Sequence, residues 1–184
     1  MNRKMVSIVT IAVVLTLTLL SCATARGGDG LSMQEAIRQS AYGVAGNLPP
    51  GTRLAVVAFE SESDGLSDFI MEELTRAIMR HGVEVADRRN LDLAFMELNF
   101  QMTGYVSDET ALSIGRFLGA QLVVTGQLVN LGNVRRFSAD AINVETATRQ
   151  NSAAYDVRND AALQNMIEAL SRGTTRRTAG FDVP

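Results

Sequence analysis

Glu60, Glu62, Asp64 and Asp68 place four carboxylates in one short stretch. Such a group can bind a cation or supply an acid and a base. It follows a predicted strand, and loops after parallel strands often carry sites. Negative charge at a helix N-terminus and in a solvated loop is the simpler reading of the same residues. His81 is the single histidine and Cys22 the single cysteine, so Cys/His nucleophile pairs and histidine-rich metal sites are excluded. A Ser–His–Asp triad would have to use His81, and no nucleophile elbow precedes it. Gly115, Gly119 and Gly126 fit neither a GxGxxG nor a GxxxxGK phosphate loop. No catalytic residue, metal ligand set or cofactor is expected.

The remaining chemistry is a thiol. Residues 1–22 read as a basic start (Arg3, Lys4), an apolar run from Met5 to Leu20, and then Ser21-Cys22. That order is the pattern of a secretory signal. The run is slightly long for a signal core and short for a membrane span of about 20 residues. Leu19-Leu20-Ser21-Cys22 resembles the lipobox of bacterial lipoproteins. That resemblance implies cleavage before Cys22 and acylation of its thiol, palmitate among the chains, with more than one chain giving permanent membrane attachment. Ala23 at the next position implies sorting to the outer membrane, facing the periplasm. The expected organisation is therefore a signal peptide at 1–21, an acylated cysteine and short flexible tether at 22–30, one domain at 31–172, and a flexible tail at 173–184. Fully extended, the tether reaches about 28 Å.

Composition agrees with one ordinary globular domain: 184 residues, 46% hydrophobic and 20% charged. The 17 basic residues include Arg3 and Lys4; without them 15 basic side chains face 20 acidic ones, a charge of −5. A weakly acidic chain lacks the basic surface that nucleic acid requires, so no nucleic-acid partner is expected.

The elements that must position these residues follow from periodicity. Met33, Ala36, Ile37, Ser40, Ala41 and Val44 recur at helical spacing, closed by Gly46 and stopped by Pro49-Pro50-Gly51. Arg53 to Phe59 is a buried strand. Leu66, Phe69, Ile70, Leu74, Ala77 and Ile78 predict a helix ending at His81-Gly82, followed by a strand over 83–86 parallel to the first. Asp87 caps a helix with Leu91, Phe95, Leu98 and Met102 inward, broken at Gly104. Ser107 or Asp108 caps another, ending near Gly119. Strands over 121–129, 134–144 and 149–157 alternate as an antiparallel meander, with Leu122, Val124, Gly126 and Leu128 on one face and Phe137, Ala139 and Ala141 likewise sharing a face. Asn159 or Asp160 caps a last helix with Leu163, Met166, Ile167 and Leu170 inward. The fold class is α/β: a two-layer domain on a mixed sheet of about five strands, a parallel βαβ start and a three-strand meander, with helices mainly on one face.

That arrangement leaves one polar sheet face, carrying Gln127, Arg136, Ser138, Asp140, Gln150 and Ser152, for water, another subunit or a partner. Arg88-Arg89 opens a helix against its macrodipole, which marks either a partner site or an interior ion pair. With Arg135-Arg136 it could form a basic patch, although solvated charge is the default. The partner-surface candidates are Arg88, Arg89, Gln127, Arg136 and Asp140.

Val85-Ala-Asp-Arg-Arg-Asn-Leu91, Glu97-Leu-Asn-Phe-Gln101, Ser107 to Leu112, Ile114 to Gly126 and Asn143-Val-Glu-Thr146, together with Leu54 to Phe59, resemble the CsgG-like lipoprotein superfamily. The similarity covers roughly residues 50–170. The family includes curli-secretion pore subunits and penicillin-binding-protein activators of the LpoB type, on a fold similar to the N-terminal domain of TolB. It implies a non-catalytic envelope module that binds a protein partner, such as a regulator of peptidoglycan synthesis, or alternatively a self-assembling secretion component. The short connections hold no spare pair of membrane strands of about 9–11 residues, so a pore from this chain alone is not expected. The short tether, unlike the long arm of LpoB-type activators, argues against reaching across to an inner-membrane synthase from the outer membrane.

Overall fold

The computed structural model describes residues 30–98 and 106–178. Along the chain these form α1 (Met33–Ala45), β1 (Arg53–Glu60), α2 (Asp64–Met79), β2 (Glu84–Val85) and α3 (Arg88–Glu97). Then come α4 (Asp108–Phe117), β3 (Leu122–Asn130), β4 (Val134–Asn143), β5 (Arg149–Arg158) and α5 (Ala161–Thr178). Cys22, Met102 and Gly104 lie outside the described residues. No helix among the described residues is long and apolar enough to cross a membrane.

Local chemistry starts each helix. Ser32, Ser63, Asp87 and Ser107 are N-caps whose side-chain oxygens accept from Glu35, Leu66, Arg89 and Thr110 N–H, each satisfying an orphan donor of the first turn. Asp160 Oδ1 does the same for Leu163 N–H at 3.0 Å. Of the two cap pairs left open by the sequence, Ser107 and Asp160 therefore serve. The buried residues of α1 are the predicted stripe with Ala45 added. In α2, Leu66, Ile70, Leu74, Ala77 and Ile78 are buried as expected.

The five strands form one sheet in the order β2-β1-β3-β4-β5. β1 runs parallel to both β2 and β3, while β3, β4 and β5 form an antiparallel meander. The predicted architecture is the observed one, although β2 is only two residues long. Register puts Leu54, Val56 and Phe59 of β1 on the same face as Leu122, Val124 and Leu128 of β3 and Phe137, Ala139 and Ala141 of β4. The Phe59 and Phe137 rings meet here with centroids 4.9 Å apart. Burying each such side chain contributes about 1.5–3 kcal/mol.

Helices α1 and α2 cover this face, and α5 packs on α2. Helix α1 approaches β5 closely: a Cβ on Gly43 would sit 2.8 Å from Ala153 Cβ, and Asn151 Nδ2 donates to the Val44 carbonyl at 3.0 Å. Helix α5 runs to Thr178, past residue 172, the expected end of the domain. The single Gly173 costs about 1 kcal/mol relative to alanine, which does not end a helix docked through buried Leu163 and Ile167. Among the described residues, the second face is covered at one end, by α4. A Cβ on Gly115 would lie 2.4 Å from Val123 Cγ1 and 2.8 Å from Val144 Cγ2, so this helix needs glycine to sit so close.

Candidate functional site

Beyond α4 the second sheet face is polar, and a shallow groove of about 160 Å³ lies across it. Glu60 at the end of β1, Thr125 and Gln127 of β3, Ser138 and Asp140 of β4, Arg149 of β5 and Asp108 at the start of α4 contribute to its walls. Strand pairing sets these neighbours: Gln127 faces both Glu60 and Ser138, and Thr125 faces Asp140. Arg149 Nε lies 3.4 Å from Asp140 Oδ1. Further along the same face, Arg136 Nε donates to Asp156 Oδ1 at 2.5 Å. Both arginines are exposed, so these pairs contribute little to stability and leave the face hydrated. Glu109, beside Asp108, has its carboxyl held below the usual range, first by its own backbone N–H and then by the Ser107 hydroxyl.

Three of the five partner-surface candidates, Gln127, Arg136 and Asp140, share this open face. Arg89 does not: it is exposed at the start of α3, at the opposite edge of the sheet. The Arg88 side chain lies outside the described residues. Arg135 and Arg136 do not form one basic patch, because successive strand residues point to opposite faces and Arg135 turns into the core. Arg135 is 2% exposed. Its Nη1 donates to Glu62 Oε1 at 2.6 Å and its Nε to Asn159 Oδ1 at 3.1 Å. The expectation of solvated charge fails at this residue. The signal lay in the alternation itself, since Arg135 has the parity of Phe137, Ala139 and Ala141.

The acidic stretch is also divided. Glu60 faces the groove, Glu62 reaches the opposite side to pair with Arg135, and Asp64 sits in the first turn of α2. Asp68 lines a separate cavity of about 550 Å³ between α2 and α3. Among the described residues, no three His, Cys, Asp or Glu side chains are placed to hold a metal ion. The helix before His81 ends slightly earlier than expected, at Met79 with Arg80 as its cap, and His81 in the following turn meets the Tyr42 ring edge-on, with centroids 5.9 Å apart. Periodicity did not single out Arg149, Thr125 or Asp108 as groove residues, because only the strand register and the position of α4 bring them together.

No protein-family model matches this chain, and no curated protein matches it. Solved structures do. The LpoB C-terminal domain from Salmonella enterica is similar with a TM-score of 0.57 at 20% identity, covering 70% of this chain and 96% of that one. The LpoB C-terminal domain from Escherichia coli has a TM-score of 0.55 at 18% identity, over 70% and 96%. The solution structure of Escherichia coli LpoB has 0.53 at 17% identity, over 74% of each chain. The domain has an LpoB-like fold.

Proposed function

We propose that this chain is a non-catalytic cell-envelope lipoprotein, anchored through Cys22 and binding a protein partner on its open sheet face. Its finer role would be regulation of a penicillin-binding protein in peptidoglycan synthesis; with the anchor in the outer membrane, the short tether requires that partner to reach across to the domain. The observation that carries this reading is the LpoB-like fold, which spans nearly the whole of the LpoB C-terminal domain. Support also comes from the lipobox-like Leu19-Leu20-Ser21-Cys22 and from a hydrated groove whose side chains suit hydrogen bonds and ion pairs rather than covalent chemistry. A self-assembling secretion component is the weaker reading. The β3–β4 and β4–β5 connections, residues 131–133 and 144–148, are tight turns with no room for membrane hairpins.

A photo-crosslinker placed at Gln127 in the membrane-bound protein tests the partner. The expected product is a penicillin-binding protein crosslinked from Gln127 and not from Arg38, which is exposed on the helical layer. Equal labelling from both positions, or none from Gln127, would overturn the assignment of the face. Cys22→Ser tests the anchor separately, with release of the protein from the membrane fraction as the expected result.

A further inference from the structure

The chain leaves the domain at a defined place. Leu31 forms a single parallel bridge to Val157: its N–H donates to the Asp156 carbonyl at 2.7 Å and its carbonyl accepts from Arg158 N–H at 2.9 Å. Gly30 has φ +126°, and a Cβ there would lie 2.9 Å from both Arg158 N and Asp156 O. Only glycine lets the chain press this closely on the edge of β5. The exit therefore lies about two residues, or 7 Å, from the Arg158 end of the strand and about 24 Å from the Arg149 end.

The β3–β4 turn stands at the near end and holds up an apolar side chain. Leu131, at its tip, is 52% exposed, and Val129 beside it is 40% exposed. The turn is braced on several sides. Leu131 N–H donates to the Val134 carbonyl at 2.9 Å, Gly132 N–H to Asn130 Oδ1 at 2.9 Å, and Asn159 Nδ2 to the Gly132 carbonyl at 2.6 Å. Asn159 Oδ1 is in turn held by Arg135 and Gln164. A leucine fixed in this way cannot fold back to bury itself, and polar residues usually occupy such a tip.

We propose that the β3–β4 hairpin, led by Leu131, is the part of the domain that meets the lipid surface. The inference rests on the anchor at Cys22. A glycine-rich chain of the length of residues 23–30 spans about 16 Å on average. That mean span covers the roughly 7 Å to the hairpin end, whereas the roughly 24 Å to the other end would require the chain almost fully extended. The hairpin end therefore faces the bilayer, where Leu131 reaches the headgroup–acyl boundary, and the polar sheet face stands upright beside the membrane.

The chain contains no tryptophan, so one introduced residue reports alone. Leu131→Trp is compared with Phe117→Trp; Phe117 is also 52% exposed but lines a groove with Arg53, at the far end of the sheet. The full-length acylated protein is reconstituted into phosphatidylethanolamine–phosphatidylglycerol vesicles with and without brominated acyl chains. Leu131→Trp should be quenched about twofold or more by bromine, as expected for a side chain inserted 5–10 Å into the interface, and Phe117→Trp should not. Val129→Trp supplies the same readout if Leu131→Trp misfolds. An unquenched hairpin tryptophan, or equal quenching at both ends, overturns the proposal. The mass of the N-terminal peptide separates the two readings. With Cys22 acylated and Leu131→Trp unquenched, only the orientation falls; with Cys22 unmodified, the anchor falls and takes the orientation with it.

Discussion

Arg135 and Arg136 are adjacent in sequence and belong to different environments. Arg135 points under the helical layer, where its side chain is 3% exposed and bonds Glu62 and Asn159. Arg136 points to the open face, where its side chain is 48% exposed and pairs with Asp156. The same functional group is a structural tie on one side of β4 and a hydrated surface charge on the other. Out of water, a guanidinium needs fixed partners to offset its lost solvation. In water the solvent competes for the same bonds and the pair adds little. Arg135 links β4 to the loop after β1 and the loop before α5. Arg136 links only neighbouring strands.

The largest test of this contrast is Arg135→Ala. Breaking a buried pair costs about 3–5 kcal/mol, and the partial exposure of Glu62 lets it regain water, so the lower end, about 3 kcal/mol, is expected in urea unfolding. Arg135→Met should recover much of that loss because an apolar chain of similar length leaves no buried charge. A loss below that of Arg136→Ala would remove the contrast altogether. Next, Gly115→Ala should cost about 2 kcal/mol by overpacking α4 against Val123 and Val144. It should also disturb groove amide resonances in NMR while leaving those of α5 unchanged. Arg136→Ala should change stability by less than about 1 kcal/mol; a larger change would mean that the open face matters to stability as much as the covered one.

The smallest effect is that of acid. Glu35 is held below the ordinary glutamate range by the Gln39 amide and then by Arg38, and Glu109 by its own backbone N–H and Ser107. A depressed folded-state value means that each contributes stability above the unfolded-state range and loses it as pH falls through the folded-state value. Carboxyl NMR titration should show both midpoints below the ordinary value, with α1 and α4 losing first-turn order as the pH drops. Midpoints at or above the ordinary value would remove this contribution.

Periodicity made most of the fold legible. The stripe from Met33 to Val44, the uninterrupted apolar run of β1 and the alternation of β4 each have one good placement, because burying the other set of residues would put polar groups in the core. Arg135 was less legible. Its parity assigned it to the covered face, while its charge suggested water, and only Glu62 and Asn159, remote in sequence, make the first assignment tolerable. The groove was partly legible. Gln127 and Asp140 follow from alternation along their own strands. Arg149 and Asp108 join them only because β5 pairs with β4 and α4 begins beside the open part of the face.

By itself, then, the sequence determined the helices, the strands and the split of the meander into an apolar and a polar side, since these depend on residues a few positions apart. The lipobox-like motif at Cys22 is likewise a local signal. Tertiary structure decided which charges are buried, how much of the second face α4 leaves open, and that Leu31 binds β5 beside the β3–β4 turn. Each of these depends on contacts between residues far apart in the chain, whose free energy comes from removing particular groups from water together. No local pattern carries that information.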